Sequence, residues 1–168
     1  MRTLRPVPLT VEVFAPFGEV VSVDAAAEKA ANQGTAQRSD FTASLLTTRP
    51  HAKANVAVFK SQPRVLPFKV SMLERHVHSS QLFSPLSVSR YVVVVAPSSF
   101  DGTCDQDQLQ AFLASPLQAI NYKPGTWHHP LLVLDQEAQF LMLAWEDGTA
   151  NDCEELELTQ AWTLAVDA

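Results

Sequence analysis

The sequence predicts a mainly β fold, a sandwich or barrel of short strands with a few short helices. Three observations carry that reading. Apolar and polar residues alternate with the period of a strand in run after run. Turn residues separate the runs at intervals of roughly ten residues, the spacing of all-β sandwiches and barrels. The run Tyr91-Val92-Val93-Val94-Val95-Ala96 is β-branched and too short for a typical helix, so it reads as a central strand.

Taken in order, a short helix is expected from Thr10 to Phe14. Asp24 to Gly34, where Ala-rich sequence gives way to Asn32-Gln33-Gly34, reads as an exposed loop or short helix. Phe41, Ala43 and Leu45 alternate with Thr42 and Ser44, and Val56 and Val58 with Asn55 and Ala57, as strands do. Val70 to His76 and Leu82-Phe83 continue the pattern ahead of the central run. Gln106 to Ala114 reads as a helix, capped by Asp105, with Leu109, Phe112 and Leu113 on one face. Leu117 to Tyr122, Leu131 to Leu134, Phe140 to Trp145 and Trp162 to Val166 complete the strands. Turns are expected at Arg49-Pro50, Gln62-Pro63, Ser84-Pro85, Pro97-Ser98, Pro124-Gly125 and Asp147-Gly148.

Length and composition set the outer limits. The 168 residues suit a single domain, 1–168, with a sizeable core; 46% are apolar and 18% charged, as in an ordinary globular protein. The formal charge is −6 and the cations are scattered singly, so no nucleic-acid partner is expected. The opening residues lack an apolar core, so no signal peptide is expected, and no apolar run approaches the ~20 residues of a membrane span. Cys104 and Cys153 stand far apart and form no CxxC pair, which fits reduced thiols and a cytoplasmic location.

The chemistry concentrates in Leu73-Glu74-Arg75-His76-Val77-His78-Ser79-Ser80-Gln81. On a strand, Glu74, His76 and His78 project from one face, and two imidazoles so spaced can reach one divalent metal. Gln81 could join through its amide oxygen if the chain turns at Ser79-Ser80. Further on, Pro124-Gly125 makes a turn that delivers His128. Two His with an acid or Gln, then a Pro-Gly turn and one more His, is the layout of the two cupin half-motifs, which converge inside a jelly-roll β-barrel. Taken singly the same residues have plainer readings: half-buried His bonded to backbone, Trp127, Trp145 and Trp162 as core, Lys123 and the arginines as surface charges.

Leu73-Glu74-Arg75-His76, Gln81-Leu82-Phe83-Ser84-Pro85, Tyr91 to Ala96, and Asn121-Tyr122 through Trp127-His128-His129-Pro130 resemble the ureidoglycolate lyases. Asn32-Gln33-Gly34 followed by Arg38, and Phe14 to Val20, are similar to the family's N-terminal stretches. The resemblance runs from about residue 4 to about residue 165. It implies a cupin-like β-barrel, usually a homodimer, acting in the cytoplasm. The reaction it implies is cleavage of (S)-ureidoglycolate to glyoxylate and urea in allantoin and purine breakdown. Two departures stand out: His78 occupies a position that need not be His in the family, and the Gly expected before the first half-motif is missing.

Ureidoglycolate is a carbinolamine, so its cleavage needs a base for the hydroxyl proton, an acid for the departing urea nitrogen and a cation for the carboxylate. His76 and His128 are the expected acid–base pair, with Tyr122 and Lys123 as donors to the urea end. Arg38, on a loop able to close over the site, is the favoured carboxylate clamp; Arg75, which strand alternation aims away from His76, and Asn32 are the other substrate-binding candidates. Glu74 would orient His76. A divalent ion, nickel or manganese, would take His76, His78, Gln81 and His128. Rival readings are another metal-dependent cupin enzyme, an isomerase or dioxygenase, and a non-catalytic cupin that binds a small molecule.

Overall fold

The computed structural model describes residues 2–22 and 28–166. Among them, β1 (Arg2–Leu4) and β2 (Val7–Pro8) precede one helical turn, α1 (Val11–Phe14). There follow β3 (Gly18–Val21), β4 (Glu28–Ala31), β5 (Ala36–Ser39), β6 (Lys53–Ser61), β7 (Phe68–Arg75), β8 (Gln81–Ser87) and β9 (Arg90–Ala96). Then come β10 (Gln110–Ala114), β11 (Ala119–Tyr122), β12 (Trp127–His128), β13 (Leu132–Leu134), β14 (Ala138–Glu146) and β15 (Glu154–Leu164). One sheet orders β1-β15-β7-β12-β9-β10-β2, with β13 also on β9; a second orders β3-β11-β8-β14-β6; β4 and β5 form a separate hairpin. Pairing is antiparallel except for β1 with β15 and β2 with β10. The predicted mainly β, jelly-roll architecture is what the chain adopts.

Strand β9 explains the core. Tyr91, Val93 and Val95 enter the cluster between the two sheets with Phe14, Phe83, Tyr122 and Phe140. Val92, Val94 and Ala96 enter a second cluster, on the strand's other face, with Leu73, Trp127, Leu132 and Leu164. A strand buried on both faces has no polar alternation to show, hence the continuous β-branched run. Burying a Val-sized side chain contributes about 1.5–3 kcal/mol, so this strand anchors both clusters.

The turn at Thr10 to Phe14 is present, with the Thr10 hydroxyl accepting from the Val13 amide at 3.4 Å. Four expectations need correction. Gln106 to Ala114 is not a helix: Gln110–Ala114 is a strand between β9 and β2. Its Leu109 and Phe112 fall in different clusters, and two-sided burial imitated helical spacing. Phe41 to Leu45 is not a strand; Phe41 has φ 57° and is fully exposed, and the chain pairs later, where Thr47 bridges Ser79. Ser84-Pro85 is not a turn, because β8 runs through both, with Pro85 opposite Phe140 beside a register shift. Of Asp24 to Gly34, residues 24–27 lie outside the described residues. The remainder is β4 and a 3₁₀ turn at Asn32–Gly34 leading into β5.

Gly18 fixes how closely β3 and β11 approach. It pairs with Tyr122, and a Cβ there would lie 2.0 Å from the Asn121 carbonyl oxygen, so no larger residue fits. No helix among the described residues is long and apolar enough to cross a membrane.

Candidate active site

The ends of four strands converge on one cavity of about 610 Å³, whose lining includes Glu74, His76, Gln81, Phe83, Met142 and Glu146 with Lys60 and Arg64. The inward alternation of β14 runs Phe140, Met142, Ala144, each buried, and Glu146 follows in phase. Gln81 sits opposite Ala144 and Tyr122, and His128 opposite Glu74. The two half-motifs are joined directly: the Gly125 amide donates to the His76 carbonyl at 2.9 Å, in a turn where Gly125 has φ 81°.

Glu74, His76 and His128 each direct a ligand atom to one place, all within 4.8 Å of one another. His76 Nδ1 donates to the Asp152 carbonyl at 2.7 Å and His128 Nδ1 to the Thr126 carbonyl at 2.8 Å. A carbonyl only accepts, so each Nδ1 carries a proton and each ring turns its Nε2 toward the cluster. Both Nε2 atoms, and Gln81 Oε1, are buried without a hydrogen-bond partner. His128 Nε2 stands 3.5 Å from Glu74 Oε1. Unpaired buried acceptors are costly, and these three, two of them beside the Glu74 carboxylate, suit a divalent cation.

The charges agree. Burial pushes the Glu74 carboxyl up, but the attraction of His128, then of His76 and His129, outweighs it and holds the carboxyl below its usual range. Burial, then the neighbouring His128, lowers His76 against the opposing pull of the Asp152 carbonyl, Glu74 and Glu146. Both shifts leave the cluster as a carboxylate with a neutral imidazole, the forms a metal takes. Cys153 lies 3.9 Å from Glu74; burial first and that carboxylate second push its thiol up to about 11. Cys104 is also free, and its thiol is likewise raised to about 11. Neither thiol is activated.

Of the residues singled out from the sequence, the structure brings His76, Gln81 and His128 together. Tyr122 stacks on His128, yet its hydroxyl is buried without a partner and burial raises its pKa well above the ordinary value. His78 lies apart from them: the strand ends at Arg75 and the chain turns at Val77-His78, before Ser79-Ser80. Its Nδ1 meets the Thr48 hydroxyl at 2.9 Å, and Glu74 takes its place in the cluster. Lys123 is turned away, donating to the Ala15 carbonyl at 2.6 Å. Arg75 points to the other face, as alternation requires; it pairs with Glu154 at 2.8 Å and lies 4.3 Å over the Trp127 ring. Arg38 is exposed on β5 and paired with Asp40, and Asn32 is exposed at the hairpin's 3₁₀ turn; neither borders the cavity.

Glu146 and Arg64 also line the cavity, and the sequence does not single them out. Glu146 accepts from the Asn55 amide at 2.6 Å through one oxygen. The available signal was its register, an acid in phase with three buried residues of the same strand. Arg64 lies 5.5 Å over the Phe68 ring and has no carboxylate partner among the described residues. Nothing in its sequence neighbourhood distinguished it.

Comparison with known proteins gives a consistent result. A family model described as ureidoglycolate lyase matches residues 1–165. A ureidoglycolate lyase of Burkholderia cepacia is 41% identical over 162 residues, 96% of this chain and 89% of that one. One from Pseudomonas savastanoi pv. phaseolicola is 35% identical over 168 residues, 99% of this chain and 96% of the other. Among solved structures, a dTDP sugar isomerase from Desulfovibrio desulfuricans G20 matches with a TM-score of 0.52 at 13% identity, covering 86% of this chain and 87% of that chain. At that identity the likeness is one of fold, and it is the cupin-like fold.

Proposed function

The chain belongs to the ureidoglycolate lyase family, and from that premise we propose that it cleaves (S)-ureidoglycolate to glyoxylate and urea in allantoin breakdown. Within the site, the carrying observation is the buried convergence of Glu74, His76 and His128 with Gln81 at the cavity wall. The single domain read from the sequence, a cytoplasmic location and a homodimer belong to the same proposal.

Glu74, His76, His128 and Gln81 would hold a divalent ion, nickel or manganese. When bound, such an ion supplies a Lewis acid that makes an α-hydroxyl more acidic and shares alkoxide charge. The protein's own part is to hold the two imidazoles by their Nδ1 protons, so that Nε2 is presented without rearrangement. Phe83, Met142, Pro130 and Leu131 wall the cavity with apolar surface, which excludes water and strengthens the charge contacts made to a bound anion. Arg64, which lines the cavity without a carboxylate partner among the described residues, would draw in an anionic substrate against the chain's net charge of −6.

The test is His128→Ala. Turnover should fall by at least about 10²-fold with the circular-dichroism spectrum unchanged. Activity near that of the wild type would remove the cluster from the reaction.

A further inference from the structure

We propose that Glu146 carries the proton in this reaction, taking it from the substrate hydroxyl and returning it to the departing urea nitrogen. This rests on the lyase reading. The titratable groups bordering the cavity are Lys60, Arg64, Glu74, His76 and Glu146. Lys60 is paired with Glu137 at 3.2 Å. Arg64 does not deprotonate in a protein. Glu74 and His76 face His128 in the ligand cluster, where their donor atoms serve an ion. Outside the cavity wall, the Tyr122 hydroxyl is sealed in the core and the Lys123 amine is tied to Ala15. Glu146 alone among these is a proton acceptor with no competing assignment.

Its placement suits the role. Gln81, Ala144 and Asn55 lie in one row across β8, β14 and β6, and Glu146 is the next residue of β14 on that same face. Asn55 Nδ2 donates to Oε2 at 2.6 Å, which fixes the carboxylate, and Glu146 lines the same cavity as His76. A carboxylate held by one oxygen and free at the other can accept a proton without swinging away.

The step balances. Glu146 Oε1 takes the hydroxyl proton as the carbon–oxygen double bond of glyoxylate forms. The carbon–nitrogen bond breaks with its electron pair going to nitrogen, and Glu146 returns the same proton to that nitrogen. Urea leaves, Glu146 is again a carboxylate, and no other reactant is consumed.

The experiment compares wild-type enzyme with Glu146→Gln and Glu146→Ala, each loaded with divalent metal and checked for metal content. Glu146→Gln should lose about 10²-fold or more in kcat with KM changed no more than about threefold. Glu146→Ala should regain activity in proportion to added formate, which a merely structural residue would not show. Retention of more than about a third of wild-type kcat by Glu146→Gln, or no rescue of the Ala variant by formate at full metal content, overturns the assignment while leaving the lyase reading intact. A wild-type enzyme that releases no urea from ureidoglycolate overturns that reading, and the role of Glu146 with it.

Discussion

The His128 imidazole lies flat against the Tyr122 ring, with centroids 4.0 Å apart and planes 16° from parallel. The contact holds the imidazole on one side while the Thr126 carbonyl holds its Nδ1 proton. Tyr122 therefore acts through its ring, since its hydroxyl is buried and unpartnered. Tyr122→Phe should keep kcat within about threefold and leave stability equal or higher, because an unsatisfied hydroxyl is removed. Tyr122→Ala should cost about 3–5 kcal/mol of unfolding free energy, read in denaturant melts. A large loss of kcat in Tyr122→Phe would instead make the hydroxyl a proton donor.

His76 depends on a residue with no other link to the cavity. Its Nδ1 is held by the Asp152 carbonyl, and the Asp152 carboxylate accepts from Arg49 and from the Gly148 amide at 2.7 Å. Arg49 also pairs with Asp147 at 2.8 Å, so one guanidinium fixes the turn that aims His76. Arg49→Leu should weaken divalent-metal binding and lower kcat by about 10–100-fold, measured by metal titration and steady-state rates. Unaltered metal affinity would show that the turn keeps its shape without Arg49.

Acid pH reaches the fold through a different pair. Arg90, then Ser89, holds the Asp135 carboxyl down to about 2. A carboxyl lowered in the folded state stabilises fully above its unfolded pKa near 3.9, and that contribution is lost as pH falls toward about 2. The pair is half exposed, so it contributes only a fraction of a kcal/mol, at most about 1. Asp135→Asn should lower the melting temperature slightly at neutral pH, with the gap narrowing as pH drops below about 4. A gap that widens in acid would contradict the assignment.

Most of the architecture was legible because strand burial writes itself into sequence. The run at Tyr91 to Ala96, the alternation at Phe140 to Trp145 and the Pro124-Gly125 turn each fix a feature that the fold contains. What misled was two-sided burial at Gln110–Ala114 and an early strand end at Arg75. Alternation extended past Arg75 put His78 in the expected ligand set, whereas the turn at Val77-His78 separates it from the cluster of Glu74, His76 and His128. Arg64 could not be found from its neighbours in sequence, because what sets it apart is having no carboxylate partner among the described residues, which only three-dimensional pairing reveals. Arg38, Arg75 and Arg90 stand out in sequence equally well and each has such a partner.

The most direct test of the central claim is the product ratio from racemic ureidoglycolate, with unaided decay subtracted, using enzyme before and after chelation and metal restoration. Metal-dependent lyase chemistry predicts equal glyoxylate and urea above background, lost on chelation and regained with a divalent ion. Ammonia in place of urea, or no release even with metal restored, would contradict it.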